Sequence, residues 1–134
     1  MSLEENKQLA AELFARFSAS DLAGALALLS DDVTWQIMGD PATLPAAGQH
    51  SKEGITRILR GMGSQLPNGL RMTVKGMIAE GDQVAVEVEG YGELQNGRVY
   101  NNHYHFALTM ADGKIRSLRE YIDTQHVFAT WYAP

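Results

Sequence analysis

The sequence contains no cysteine, which excludes disulfide bonds, thiolate metal sites and a cysteine nucleophile. Basic residues are also scarce. The chain has 11 lysines and arginines against 16 aspartates and glutamates, and its formal net charge is −5. Proteins that bind the phosphate backbone need a basic surface, so we expect no nucleic-acid partner.

Long apolar runs are missing as well. The longest nearly apolar run, residues 22–29, is far shorter than the roughly 20 residues that span a bilayer. The first residues, MSLEENKQL, lack the basic start and apolar centre of a signal peptide. We therefore expect a cytoplasmic protein without a membrane partner.

The remaining composition is that of an ordinary globular protein. The chain has 134 residues, of which 45% are apolar. A chain of this length buries roughly two-thirds of its unfolded surface, which is enough for a core. We predict a single domain over residues 1–134.

Helical periodicity dominates the first half of the chain. Leu9, Leu13 and Phe17 form one apolar stripe, and Ser2 and Glu5 form a capping box at its start. Two further helices are predicted, one from about residue 22 and one from about residue 51. Between them, alternation at Val33–Ile37 predicts a short strand, and residues 38–50 read as a long loop of the kind that often forms a lid.

The second half is predicted to be strands. Segments 70–79, 84–94, 99–110 and 115–124 are separated by turn signals, including Asn96-Gly97 and Asp112-Gly113, which favour type I′ turns. Three successive hairpins give an antiparallel meander, so the fold class is α+β, with three N-terminal helices on a strongly curved antiparallel sheet. Gly76, Gly90 and Gly92 are candidates for kinks within the strands, although glycine could also simply be tolerated there.

The third long strand carries polar residues on an apolar face. Tyr100, Asn102, Tyr104 and Phe106 share one parity, and we expect them to face the concave side of the sheet. Leaving a buried polar group unpaired costs on the order of 1–3 kcal/mol. Asn102 and Tyr104 therefore either donate to a substrate oxygen or pair with a neighbouring strand or water.

The last strand ends with an acid. Asp123 shares a face with Arg119 and Tyr121, and aspartate is unfavourable within strands. In an apolar cavity its pKa would rise, which would make it a usable general acid or base. The alternative is an exposed aspartate that caps the backbone.

Other residues complete the candidate site or lie on the opposite face. Trp35 and Ile37 should line the core or pocket wall, and His50 lies on the loop before the third helix. His103 and His105 share the polar face of their strand, where they could bind metal with an adjacent glutamate or contact a second subunit. Glu87 and Glu89 should also point outward, paired with an arginine among Arg98, Arg116 and Arg119.

Three segments together resemble a known family. They are Ser30–Trp35, the run Asn101-Asn-His-Tyr-His-Phe, and the closing pattern Asp112-Gly-Lys-Ile … Arg119-Glu-Tyr-Ile-Asp123. The chain resembles the SnoaL-like, ketosteroid-isomerase-related proteins of the nuclear transport factor 2-like superfamily over nearly its whole length. The resemblance implies a conical α+β barrel (the nuclear transport factor 2-like or cystatin-like architecture) with a deep apolar pocket, and a homodimer formed through the outer face of the sheet.

The resemblance also implies candidate chemistry. The catalytic base of ketosteroid isomerase falls near Ile37 here, and the nearest acid, Asp40, is on the loop. Asp123 matches the final acid of limonene-epoxide-hydrolase-like members and is the residue best placed to act as the acid/base of SnoaL-like cyclases.

Our expectation is a small enzyme that uses no cofactor or metal and binds a small apolar molecule in the cone. It would act as an isomerase, cyclase or hydrolase on an apolar carbonyl or epoxide compound. Its expected catalytic residues are Asp123, Asn102 and Tyr104, and its expected ligand-binding residues are Trp35, Ile37, His50, Phe106 and Tyr121. The alternative is a non-catalytic ligand-binding module or dimeric scaffold.

Overall fold

A computed structural model describes all 134 residues. The elements in chain order are α1 (Leu3–Ser18), α2 (Leu22–Leu26), β1 (Leu29–Ile37), β2 (Gly48–His50), α3 (Lys52–Gly63), β3 (Arg71–Glu80), β4 (Gln83–Glu93), β5 (Val99–Ala111), β6 (Lys114–Ile122) and α4 (Thr124–Val127), followed by a π-helical turn at Phe128–Tyr132. No helix is long and apolar enough to cross a membrane.

Local sequence signals set the helix boundaries. Both predicted capping-box hydrogen bonds between Ser2 and Glu5 form, at 2.9 and 3.0 Å. Ser51 caps α3 by accepting a hydrogen bond from the backbone N–H of Gly54. These bonds satisfy N–H groups that a helix leaves unpaired at its start, which is why the predicted starts agree with the structure.

The sheet has six strands in the order β2-β1-β6-β5-β4-β3. The predicted meander of β3 to β6 is present, with antiparallel pairing between successive strands. The prediction of a wholly antiparallel sheet is wrong, because β1 pairs with β6 in parallel. The chain between these strands is long enough for the crossover that a parallel pair requires.

The predicted conical barrel differs from the structure in closure and in helix number. The edge strands β2 and β3 do not pair with each other, so the sheet stays open. The loop predicted over residues 38–50 ends in the short strand β2, which extends the sheet beside β1. Beyond the three predicted helices, α4 and the π-helical turn form a C-terminal segment, residues 124–132.

Glycine positions explain two turns and one close contact. Asp112 and Gly113 both have positive φ, as a type I′ turn requires, whereas at the β4–β5 turn only Gly97 does. There the Asn96 side chain accepts a hydrogen bond from the backbone of Arg98, which builds a different turn. A Cβ on Gly90 would lie 2.8 Å from a Tyr104 ring carbon, so this glycine allows the ring to pack against β4.

The core lies between the helices and the inner face of the sheet. Helix α1 buries Ala10, Leu13 and Phe14 and packs against β3, β4 and β6, while α3 packs against β1. Tyr100 to Met110 of β5 alternate between buried and more exposed, and the predicted parity faces inward. This arrangement places the polar residues of β5 beneath α3 and the C-terminal segment.

Candidate functional site

An apolar cavity of about 350 Å³ lies between α3, the inner faces of β5 and β6, and the C-terminal segment. A second void of about 60 Å³ extends inward to Trp35 and Phe106, and both voids are lined by Tyr104 and Glu120. A wider surface cleft of about 620 Å³ near the end of α3 contains no acidic side chain. Because acid–base chemistry needs a titratable group, we place the site at the cavity that contains Glu120.

Glu120 is the acid of this cavity. The register pairs it with Phe106 of β5, and it is 9% exposed on the inner face of β6. The indole Nε1 of Trp35 donates a hydrogen bond of 2.9 Å to its Oε1. Burial raises the pKa of Glu120 to about 7, although the Trp35 hydrogen bond acts in the opposite direction. This carboxyl can therefore exchange a proton near neutral pH.

Glu120 was not among the predicted site residues, because the opposite face of β6, which carries Tyr121, was expected to line the pocket. Leu118 and Ile122 flank Glu120 at spacing two, and all three point toward the core side of the sheet. The signal was present: an acid between two apolar residues of one strand face is a buried acid whenever that face covers the core.

Two tyrosine hydroxyls also line the cavity. The hydroxyls of Tyr100 and Tyr104 lie 2.5 Å apart, and Asn102 Nδ2 donates to the Tyr100 oxygen at 3.2 Å. Burial is the main cause that raises the pKa of both phenols, so both keep their protons at neutral pH. The pair holds two O–H hydrogens and uses one between its own oxygens. One hydrogen stays available for a ligand oxygen, whichever tyrosine supplies it.

Asn102 has no remaining capacity for a ligand. Its Nδ2 donates to Tyr100 and to the carbonyl of Asp123, and its Oδ1 accepts from the backbone N–H groups of His103 and Asp123. Two donors and two acceptor lone pairs are all that an asparagine amide offers. The structure therefore matches the alternative in which Asn102 pairs within the protein, where it positions Tyr100 and the end of β6.

Asp123 does not lie in the cavity. Its carboxylate is exposed and accepts a hydrogen bond from the backbone N–H of His126, which makes it the N-cap of α4. The expectation that Asp123 is the pocket acid is wrong, because its exposed side chain caps α4 and does not line the cavity. The capping alternative is the arrangement that the structure shows.

The expected wall residues divide between the two sides of the sheet. Trp35, Ile37 and Phe106 line the inner void together with Tyr104. Tyr121 is 46% exposed on the opposite face, so its expected place in the wall is wrong. His50 does not line the cavity; its Nε2 bonds the carbonyl of Ala46 at 2.7 Å and so fixes the chain ahead of α3.

The outer face of the sheet carries the remaining predicted residues. His103 and His105 are exposed there, opposite Glu89 and Glu87 respectively. Glu89 pairs with Lys75 at 3.4 Å, not with an arginine as predicted. No group of three or more histidine, aspartate or glutamate side chains could hold a metal ion.

The C-terminal segment forms one wall of the cavity through Val127, Trp131 and Tyr132. Arg98 fixes this segment by donating to four carbonyls near its end, those of Ala129, Thr130, Ala133 and Pro134. A charged donor shared among several carbonyls at the end of a helical segment stabilises that end.

The fold is α+β with a six-stranded mixed sheet, and its apolar cavity contains a buried acid and a pair of tyrosine hydroxyls. Solved nuclear transport factor 2-like proteins share this architecture. The model of the SnoaL-like domain matches residues 10–118, and the chain belongs to this family. A comparison with curated proteins gave no match.

Solved structures share the whole fold. A nuclear transport factor 2-like protein of unknown function from Burkholderia pseudomallei is 22% identical with a TM-score of 0.84, and the match covers 99% of this chain and 100% of that one. TerC, co-crystallised with polyporic acid, is 23% identical with a TM-score of 0.82, over 94% and 97%. IdmH from Streptomyces antibioticus, proposed to be a polyketide cyclase, is 18% identical with a TM-score of 0.77, over 96% and 99%.

Proposed function

We propose that the protein is a cofactor-independent acid–base enzyme that acts on an apolar carbonyl compound, with Glu120 as the group that moves the proton. The observation that carries this proposal is a carboxyl, 9% exposed, in an apolar cavity with a pKa near 7. Such a group is present in both protonation states near neutral pH, as a residue that both removes and returns a proton requires.

The hydroxyl pair supplies the second element of the mechanism. Tyr104 is a diagonal cross-strand neighbour of Glu120, because Tyr104 pairs with Ile122 and Phe106 pairs with Glu120. Diagonal neighbours on one face lie about 7–8 Å apart between their Cα atoms. A ligand between them can present a C–H bond to the carboxylate while its carbonyl oxygen accepts the free hydrogen of the tyrosine pair.

The reaction then proceeds as proton transfer. Glu120, as carboxylate, takes a proton from the carbon next to the carbonyl, and the electron pair of that C–H bond moves to the carbonyl oxygen. The Tyr100–Tyr104 pair donates to the enolate oxygen in surroundings where water is scarce, which strengthens the hydrogen bond. Protonated Glu120 then returns the proton to carbon, either at the same position or further along a conjugated system.

Two structural neighbours support this substrate class. IdmH is proposed to be a polyketide cyclase and TerC was crystallised with polyporic acid, and both descriptions favour an oxygen-bearing organic ligand. The apolar lining of the present cavity fits a ligand of similar character.

The experiment measures proton exchange at carbon, which needs no knowledge of the natural substrate. The protein is incubated in deuterium oxide with 2-tetralone, an apolar ketone, and loss of the α-proton signal is followed by NMR. We expect protein-dependent exchange that increases with pH through a midpoint near 7, because the carboxylate form of Glu120 is the base. Glu120→Gln should abolish this exchange.

The controls separate catalysis from binding. The double variant Tyr100→Phe/Tyr104→Phe lacks the O–H hydrogen that the tyrosine pair offers to a ligand. It should lower the exchange rate by about 10²–10³-fold, the usual effect of losing an oxyanion donor. Exchange that persists in Glu120→Gln would contradict the proposal. Binding of 2-tetralone without any exchange by the unaltered protein would identify the chain as the non-catalytic ligand-binding module.

We also propose that two copies associate through the outer face of the sheet. His105 lies in register with Glu87 on one side and Tyr121 on the other, which places an exposed aromatic ring beside ionisable partners. A dimer in analytical ultracentrifugation that dissociates in Tyr121→Glu, but not in Leu3→Glu, whose side chain is exposed on α1 and away from the sheet, would support this contact. A monomer at all concentrations would contradict it.

A further inference from the structure

Helix α3 presents two parallel rows to the cavity. Ile58 and Met62 line both voids, so they form the deeper row. Arg57 and Gly61, four residues apart on α3, line only the outer cavity and are exposed to solvent, as is Gln65 in the turn after the helix. Since residues four apart lie on the same helix face, this outer row forms the rim of the opening.

Gly61 keeps the opening wide. It lies inside α3, where glycine costs about 1 kcal/mol relative to alanine. A Cβ added there would meet no atom within 4 Å, so neither packing nor backbone conformation demands glycine. The missing side chain leaves space directly beside Arg57 on the rim, since the two residues are one helical turn apart.

Arg57 is the cationic residue of the cavity lining, and Glu120 is the acidic residue of the same lining. The partner of Arg57 is Glu53, at 3.0 Å, in an exposed pair whose side chains are 69% and 85% accessible. Exposed pairs of this kind on a helix contribute only about 0.3–0.5 kcal/mol. A guanidinium also has five N–H donors, and this pair uses one nitrogen, so Arg57 can bind a further anion.

We propose that Arg57 holds an anionic group, a carboxylate, at one end of the ligand, and that the ligand enters with its apolar end first. This inference rests on the proposed function, because it names the substrate class of the same site. A carboxylate on the inner end would meet the carboxylate of Glu120 in an apolar setting, which like-charge repulsion disfavours. The natural ligand is therefore an amphiphile with an apolar carbonyl-bearing body and an acidic tail at the rim.

The test compares two ligands of the same shape, 1-naphthylacetate and 1-naphthylacetamide, by calorimetric titration of the full-length protein. We expect the unaltered protein to bind the carboxylate about tenfold more tightly than the amide, within the usual range of a charge-assisted contact. Arg57→Gln should remove this preference. Glu53→Gln frees the guanidinium from its intramolecular partner and should keep the preference or increase it.

The matched pair of variants distinguishes ligand binding from helix stability. Both variants break the same ion pair, so a merely structural role for Arg57 predicts the same effect on binding from each. An unaltered protein without preference for the carboxylate, or a preference that survives in Arg57→Gln, would overturn the inference. The preference is measured without turnover, so absent exchange of 2-tetralone would defeat the proposed function and leave this result standing.

Discussion

The burial of Glu120 predicts a specific dependence of protein stability on pH, and Glu120→Gln removes it. Glutamine keeps an oxygen that can accept the Trp35 hydrogen bond but cannot ionise. The two proteins should therefore be similar in stability at low pH, where Glu120 is neutral. They should diverge as the pH rises and Glu120 acquires a charge in the cavity.

The magnitude follows from the pKa values. Glu120 has a pKa of about 7 in the folded protein, against the ordinary glutamate pKa of 4.5. Each pKa unit corresponds to about 1.36 kcal/mol, so the shift amounts to about 3 kcal/mol. Because the folded pKa is the higher one, the folded state binds more protons between these values. This contribution to stability is fully present below pH 4.5, falls as the pH rises, and is lost above about pH 7.

Urea unfolding followed by tryptophan fluorescence at several pH values measures this effect. The free energy of unfolding of the unaltered protein, relative to Glu120→Gln, should fall by about 3 kcal/mol between about pH 4.5 and pH 8. Glu87→Gln is the matched control, since Glu87 is exposed on the outer face of the sheet. Parallel pH profiles for the unaltered protein and Glu120→Gln would refute the argument that burial controls this carboxyl.

Three further predictions concern other positions. Gly61→Ala should raise the free energy of unfolding by about 0.5–1 kcal/mol in urea titrations, and it should slow ligand entry. The control is Gly63→Ala, whose added Cβ would also meet open space; it should stabilise the protein without slowing ligand entry. Gly90→Ala should lower the free energy of unfolding by about 1–3 kcal/mol in the same assay, because its Cβ would lie 2.8 Å from Tyr104 and 3.0 Å from Met72 Sδ. An unchanged urea midpoint would refute the close packing. Asp123→Asn should retain both the helix cap and ketone exchange, and loss of exchange in a folded variant would restore Asp123 as a candidate acid.

Sequence patterns were sufficient for most of the fold because they are local. The capping box at Ser2 and the cap at Ser51 act within one turn of helix, and the hairpins of β3 to β6 are set by adjacent turns. The parallel pairing of β1 with β6 joins segments about eighty residues apart in the chain. No local pattern specifies such a partner or its direction, so this pairing and the open edge were not predictable in the same way.

About half of the candidate site could be predicted from the sequence, because only part of it is set by a local pattern. Alternation along β5 identified the inward residues, including Tyr104 and Phe106, because thirteen residues of one strand carry a clear period of two. The nine residues of β6 contain one acid, Glu120, and Asp123 follows the strand at the opposite parity, so periodicity alone does not tell which acid lies on the face that covers the core. That decision depends on the register with β5, which sets Glu120 beside Phe106 and leaves Asp123 to cap a helix that the sequence analysis did not predict.

Direct titration of Glu120 tests the central claim that this protein holds a proton-exchanging carboxyl in an apolar cavity. The chemical shift of its ¹³Cδ, assigned by the signal that disappears in Glu120→Gln, is followed by NMR across the pH range. We predict a midpoint near 7. A midpoint near 4.5, the ordinary pKa of glutamate, would show that water reaches the carboxyl freely and would contradict the proposed chemistry.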